Sequence, residues 1–279
     1  MVNISVPDID ASRAKSVREI LAHVQFRGTI RDRSVEPYAR LLKGLRTRRR
    51  VRGVLLDISS GGGEGIASTD FYLAVKRLNE YKPVYASIGG IGASGAYMAA
   101  LGARKIFAYP DSTVGSIGVI FPHLAVQDLL RKIGISVDLV HAGRHKDAYQ
   151  GYRPLTEEER SKMLAVVGEH YESFVQLVAR ERHRPVEEIR ALATGEIWSG
   201  TQALKLGLVD TLGDRELALE ELAKVAGVPS RKTLRVAPPR PLIERVMSGS
   251  ASAFTADFSS RVQEMMEDVV LDLGGYRRF

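Results

Sequence analysis

The chain contains no cysteine, which excludes disulfide bonds, thiol catalysis and cysteine-ligated metal sites. It also has no run of about eighteen or more uncharged apolar residues, the length that a helix needs to cross a bilayer. The N-terminus lacks the basic stretch followed by an apolar segment that marks a signal peptide. These absences predict a soluble protein that is not exported and resides in the cytoplasm.

Aromatic residues are scarce, at 7% of the chain, whereas basic residues give a formal net charge of +7. Much of this charge lies in residues 43–52, just before an apolar segment. A site for single-stranded nucleic acid would interleave stacking rings with such charges, and this segment has none. We therefore expect a solvated helix end and no nucleic-acid partner, while a peripheral contact with anionic lipid headgroups stays open.

Strands and helices alternate along the first half of the chain. Residues 51–58 form a nearly continuous apolar run, typical of a strand covered on both faces, and a helical pattern follows over 66–78. A second strand, turn and helix begin at residue 83, and further strands are predicted at 105–109 and 137–140. This alternation predicts an α/β fold with a mainly parallel sheet flanked by helices.

The second half of the chain is mainly helical. A capping box at Thr156 opens a long helix that is predicted to end near Arg182. We predict an N-terminal arm over 1–20, one domain over 21–237 and a C-terminal tail over 238–279. The apolar helical pattern of the tail suits packing on a neighbouring subunit or in a groove of the body.

The most informative stretch is the small-residue segment around Ser94, which lies where a predicted strand passes into a helix. Gly92 and Gly95 permit a sharp turn there and let a substrate carbonyl approach the backbone closely. Free N–H groups at the start of a helix favour a developing negative charge. Ser94 is therefore a candidate nucleophile, although the local pattern by itself fits a helix-capping serine better.

A serine nucleophile needs a base. Of the six histidines, His123, His141 and His145 stay open for that role. The alternative is a lysine stripped of water, whose pKa falls from about 10.4 towards neutrality. Lys146 is the candidate, because its loop follows the predicted strand 137–140 and should lie at the carboxyl edge of the sheet, where ligands gather. Taken alone, Lys146 fits an ordinary surface lysine.

The glycine loop at 61–63 has several possible roles. It matches neither G-x-x-x-x-G-K-[ST] nor G-x-G-x-x-G, which disfavours a nucleotide site. It can present one N–H to an oxyanion, opposite the N–H of Gly95. A plain tight turn explains the glycines equally well.

Together these motifs resemble the signal peptide peptidase A (SppA) family of Ser-Lys serine peptidases, a branch of the ClpP/crotonase superfamily. The resemblance extends from about Val51 to Gly213. It rests on five stretches in the family's order, which are residues 60–63, 93–97, 113–119, 143–147 and 195–210.

The resemblance implies a role for each candidate residue. Ser94 would be the nucleophile, Lys146 the general base, Gly62 and Gly95 the oxyanion donors, and Ser116 a hydroxyl that orients the lysine amine. It also implies a ClpP/crotonase-like βαβ spiral with a helical C-terminal part. No metal or organic cofactor is implied, and the expected assembly is a homo-oligomeric ring or dome.

The implied activity is that of a serine endopeptidase that hydrolyses signal-peptide remnants and other short, unfolded, apolar peptides through an acyl-enzyme. Ser60 stands where the family usually has proline, and Ala96 replaces a usual glycine. The family's N-terminal membrane anchor is not recognisable, which leaves membrane residence unsupported. Two alternatives stay open: a crotonase-like acyl-CoA enzyme that uses the same N–H groups, and a noncatalytic scaffold at a membrane surface.

Overall fold

The computed structural model describes residues 19–228 and 233–238. They fall into two compact units, one that ends at Gly115 and resumes over Ile197–Pro238, and one over Ser116–Glu196. The predicted arm and tail lie almost wholly outside the described residues, so their proposed roles stay predictions.

The first unit is built on an eight-stranded sheet. Its strands are β1 (Ile20–Arg27), β2 (Val51–Ser60), β3 (Val84–Ala93), β4 (Lys105–Ala108), β5 (Thr113–Gly115), β6 (Ile197–Ser199), β7 (Thr211–Leu212) and β8 (Thr233–Val236). The main strand order is β6-β5-β3-β2-β1-β8, and β4 pairs with β3 and β7. All pairings are parallel except that of β5 with β6, which confirms the predicted α/β class with a mainly parallel sheet.

Helices alternate with these strands, and the second unit contains three more helices in its described residues. They are α1 (Asp32–Thr47), α2 (Gly65–Asn79), α3 (Gly95–Ala100), α4 (Gln127–Lys132), α5 (Glu157–Arg182), α6 (Val186–Leu192), α7 (Gly200–Lys205) and α8 (Arg215–Ala226). In the described ranges, none of them combines the length and apolar character needed to cross a membrane.

The central strands are covered on both faces, which explains the continuous apolar run of β2. On one face, the ring of Phe26 lies 5.1 Å from that of Tyr38 and 4.8 Å from that of Phe71, between centroids. The opposite face of the sheet is covered by α8, where Leu55 of β2 packs with Leu222. Both faces receive side chains because these alternate along each strand. The two helical layers keep the sheet rigid beneath the loops at its carboxyl edge.

One buried charge interrupts this apolar strand. The carboxylate of Asp57, whose side chain is 4% exposed, lies 3.1 Å from His23 Nε2 and accepts hydrogen bonds from Gln25 at 3.0 Å and Arg27 at 2.8 Å. Arg215 at the start of α8 lies 3.4 Å away. Burial opposes ionisation, but the hydrogen bonds from His23, Gln25 and Arg27 outweigh it and hold the pKa of Asp57 well below its usual range. The cluster ties β1, β2 and α8 together.

The second unit confirms the predicted long helix. The N–H of Glu159 donates to Thr156 Oγ1 at 3.3 Å, and the N–H of Thr156 donates to Glu159 Oε2 at 2.9 Å. This is the capping box that the sequence predicts, and α5 ends at Arg182 as expected.

The strand predicted at 137–140 is wrong. Residues 135–141 have no regular secondary structure, and Val137, Leu139 and Val140 are 42%, 39% and 98% exposed. An apolar pattern forms a strand only where a neighbouring backbone completes its hydrogen bonds, and this segment joins no strand of the sheet within the described residues. Lys146 therefore does not follow a strand of the sheet.

Candidate active site

Ser94 occupies a strained turn between β3 and α3. It is the N-cap residue of α3 with φ 52° and ψ −125°, a conformation uncommon for any residue that carries a Cβ. Its N–H donates to the Gly115 carbonyl at 2.7 Å, and its carbonyl accepts from the Met98 N–H at 3.0 Å. The half-buried Ser94 hydroxyl makes no capping hydrogen bond to α3. This geometry is that of a nucleophile elbow, and it disfavours the helix-capping role.

Gly62 lies directly against this turn. A Cβ placed on Gly62 would lie 2.8 Å from the Ser94 Cβ and 2.8 Å from the Gly95 backbone nitrogen. Its φ of +100° also favours glycine. On the far side, a Cβ on Gly95 would overlap the hydroxyl of Ser68. The structure thus brings together the three residues that were predicted as nucleophile and oxyanion donors.

The two predicted donors differ in their hydrogen bonds. Gly95 is the first residue of α3, and N–H groups in the first turn of a helix have no partner inside it. The N–H of Gly62 instead donates to Ser60 Oγ at 3.1 Å, and Ser60 is only 2% exposed. Ser60 is the residue that replaces the family's usual proline, and proline has no hydroxyl to accept this bond. Sequence reasoning identified the replacement but missed its hydrogen bond.

Buried contacts hold the Ser94 turn in place. Tyr97 is fully buried in α3, and its hydroxyl donates to the Leu208 carbonyl at 2.8 Å. Ala96, the second departure from the family pattern, is 0% exposed, so the core of the first unit accommodates its methyl group. Packing therefore restrains the helix that follows Ser94.

The two remaining predicted site residues belong to the second unit. Ser116 has a positive φ of 50°, and its N–H donates to the Glu196 carbonyl at 2.7 Å. Lys146 is exposed, and its N–H donates to the Gly143 carbonyl at 3.1 Å. Over residues 19–228, no hydrogen bond joins Ser116 to Lys146. The described chain by itself also does not desolvate Lys146, contrary to the expectation of a dry amine.

The histidines left open as bases have other partners. His145 Nδ1 lies 3.2 Å from Glu159 Oε1, and His123 Nε2 lies 3.0 Å from the Arg153 carbonyl. His141 is bonded to a carbonyl of its own loop. A carboxylate partner also orients the base in Ser-His-Asp sites, so His145 stays an alternative to Lys146. Sequence reasoning missed the pairing of His145 with a carboxylate because the partners belong to different local segments.

Comparison with known proteins identifies the family of the chain. The model of Peptidase family S49 matches residues 76–229, which is more than half of the chain. The match includes the Ser94 turn and the Lys146 loop.

Three relatives extend the match. A candidate protease of Methanocaldococcus jannaschii is 41% identical over 68% of this chain, and one of Synechocystis is 35% identical over 86%. A candidate signal peptide peptidase SppA of Enterococcus faecium is 35% identical over 66% of the chain. The chain spans 61%, 87% and 54% of the lengths of these relatives, respectively.

Solved structures also resemble this chain. A mutant of the 1510-N membrane-bound stomatin-specific protease superposes with a TM-score of 0.52 at 14% sequence identity, over 80% of this chain and 99% of the other. This similarity supports the fold alone, the mainly parallel sheet flanked by helices. The family match and the SppA relative identify the family. The chain belongs to peptidase family S49, the signal peptide peptidase A family.

Proposed function

We propose that the chain is a serine endopeptidase in which Ser94 attacks the carbonyl carbon of an extended peptide. The observation that supports this most strongly is the contact between the strained Ser94 turn and the Gly62 loop. It places a half-buried hydroxyl beside two glycine backbones, and glycine leaves room for a substrate carbonyl to approach main-chain N–H groups.

We assign one residue of the chain to each step of the proposed reaction. Ser94 Oγ bonds to the carbonyl carbon while its proton passes to the neutral amine of Lys146, and the N–H groups of Gly62 and Gly95 stabilise the oxyanion. The carbon–nitrogen bond then breaks, and Lys146 returns the proton to the leaving amine. Lys146 then takes a proton from water, which attacks the acyl carbon, and the ester bond to Ser94 breaks as Lys146 returns the proton to Ser94 Oγ. We assign Ser116 the role of orienting the lysine amine.

Lys146 must lose water to act as a base, because an exposed ammonium keeps its proton at neutral pH. Large apolar side chains of the second unit are also exposed, among them Ile120 at 86%, Leu129 at 61% and Val140 at 98%. Exposed apolar side chains that cluster on a surface often mark a site of contact with another protein chain. We therefore propose a homo-oligomer, a ring or dome, whose assembly or bound substrate shields the lysine.

The substrates we propose are signal-peptide remnants and other short, unfolded, apolar peptides, as the SppA resemblance implies. Extended peptides of this kind can pair with exposed backbone groups beside a catalytic loop. We place the activity in the cytoplasm, with the basic segment 43–52 as the surface that can contact anionic lipid headgroups.

Covalent labelling tests the nucleophile. A fluorophosphonate probe should label the assembled wild type on Ser94, and Ser94→Ala should lose both the label and peptide cleavage. Ser173→Ala, which removes an exposed hydroxyl of α5, is the matched control and should keep both. Cleavage by Ser94→Ala at the wild-type rate would overturn the proposal. Retained acyl-CoA turnover in that variant would favour the crotonase-like alternative instead.

A peptide-library digest tests the base. Lys146→Ala should lower kcat by about 100-fold or more, the usual contribution of a general base. Lys162→Ala removes another lysine of the second unit and should leave kcat unchanged. Equal digestion by Lys146→Ala and wild type would show that another group takes the proton.

A further inference from the structure

The loop that carries Lys146 is fastened to the first turn of α5 by Arg153. The guanidinium donates to the two carboxylate oxygens of Asp147 at 2.8 and 3.1 Å. It also donates to the two oxygens of Glu159, at 2.8 Å each. Such two-pronged pairs are strong and directional, because the planar guanidinium matches the geometry of a carboxylate. Asp147 directly follows Lys146, so this contact fixes one side of the lysine.

Glu159 fixes the other side. Besides Arg153, it lies 3.2 Å from the ring of His145, the residue that directly precedes Lys146. Glu159 is itself only 3% exposed and is held by the capping box with Thr156. Both neighbours of Lys146 are therefore attached to a single ion pair at the start of a long helix.

The pair remains ionised over the pH range in which a peptidase works. Hydrogen bonds from Arg153 hold the pKa of Glu159 well below its usual range and also lower the pKa of Asp147. The two carboxylates in turn raise the pKa of Arg153, with Glu159 as the larger cause. The contacts of Arg153 with Asp147 and Glu159 are therefore between charged groups near neutral pH.

We propose that Arg153 and Glu159 are positioning residues for Lys146, which fix the backbone of 145–147 and so the direction from which the amine approaches the reacting hydroxyl. The loop's own hydrogen bonds leave Lys146 in an exposed turn, with its N–H on Gly143 at 3.1 Å. A long, exposed side chain on a mobile loop would spend little time in a reactive geometry, and small misplacements lower rates strongly. The inference rests on the proposed role of Lys146 as the base.

The same loop offers a matched control. Arg144 donates to Glu158 at 3.0 Å, one residue away from the proposed pair on α5, but both side chains are exposed. Exposed ion pairs contribute little to stability. Arg144→Met therefore removes an arginine from the same loop without loosening either neighbour of Lys146.

The test compares Arg153→Met, Arg153→Lys and Arg144→Met in the full chain, with kcat and KM measured separately against pH. Arg153→Met should lower kcat by about 10- to 100-fold with KM within about two-fold, because the backbone on both sides of Lys146 is no longer held in place. Arg153→Lys should have a kcat between those of Arg153→Met and wild type, since lysine keeps the positive charge but cannot form the two-pronged hydrogen bonds of a guanidinium. Arg144→Met should behave as wild type.

A folded Arg153→Met with wild-type kcat would overturn the inference. If Arg153→Met does not fold, Asp147→Ala decides, because it removes both hydrogen bonds from Arg153 to the loop while keeping the Arg153–Glu159 pair. An unchanged kcat in that variant overturns the inference equally. Lys146→Ala separates this outcome from failure of the proposed function. If Lys146→Ala is inactive while the Arg153 and Asp147 variants have normal activity, the role of Lys146 as base is supported and only the positioning role of Arg153 and Glu159 is contradicted.

Discussion

The N–H of Gly62 donates a hydrogen bond to the hydroxyl of Ser60 at 3.1 Å, inside a buried turn that touches Ser94. An N–H group that already donates to Ser60 forms a weaker hydrogen bond to an oxyanion. In the proposed reaction the Ser60 hydroxyl therefore competes with the substrate for one of the two oxyanion donors. The family's usual proline would not compete.

Removing the Ser60 hydroxyl tests this competition. Ser60→Ala should raise kcat by a few-fold, up to about ten-fold, because the Gly62 N–H becomes free for the oxyanion. It should also lower the free energy of unfolding by about 1–3 kcal/mol, because a buried donor loses its partner. Peptidase assays and urea titrations measure the two effects, with Ser59→Ala as control. A ten-fold fall in kcat would mean that the hydroxyl supports the donor.

Gly62→Ala should abolish peptide cleavage and probe labelling. The new methyl group would lie 2.8 Å from both the Ser94 Cβ and the Gly95 nitrogen, so the turn must shift, and the positive φ adds strain. Gly168→Ala is the matched control, because a Cβ there meets nothing within 4 Å inside α5. The control should be fully active and slightly more stable, by up to about 1 kcal/mol. Normal labelling of Gly62→Ala would contradict the close contact.

Ser94→Gly should be inactive but more stable than Ser94→Ala. Both variants lose the hydroxyl, whereas only glycine adopts φ 52° with ψ −125° without strain. We expect a difference in unfolding free energy of about 1 kcal/mol in favour of glycine. Denaturant titration of the two variants side by side measures it. Equal stabilities would indicate that the Ser94 turn carries no strain.

Asp57→Asn should make the free energy of unfolding depend less on pH in the acid range. The folded-state pKa of Asp57 is depressed, so its stabilising contribution is complete above the usual carboxyl range and is lost as the pH falls below about 4 towards the folded-state value. Near pH 7 the free energy of unfolding of the variant should be about 3 kcal/mol lower than that of wild type, because His23, Arg27 and Arg215 keep their positions around a missing negative charge.

Denaturant titrations between pH 3 and pH 8 measure this difference. Asp128→Asn, at an 84% exposed side chain, is the control and should leave the pH profile unchanged. If wild type and Asp57→Asn lose stability in parallel as the pH falls, the Asp57 cluster does not control acid unfolding.

The sequence by itself determined most of the secondary structure. The buried strand β2, the glycine loop after it and the capping box of α5 depend on neighbours within a few residues, and those neighbours are visible in the sequence. Ser94 was located at a strand-to-helix turn for the same reason. A position of the 61–63 loop opposite Gly95 was one of several interpretations of its glycines, and only the SppA resemblance favoured it, because the two segments belong to different βα units.

Tertiary structure decided what depends on distant partners. Residues 137–140 have the apolar pattern of a strand but form none in the described part of the chain, because no neighbouring backbone completes their hydrogen bonds. The ionised Asp57 is stable in the core only because His23, Gln25 and Arg27 converge on it from the adjacent strand. A local pattern records the preferences of a segment, whereas a buried charge or a strand edge is stabilised by groups that only the folded chain brings within hydrogen-bonding distance.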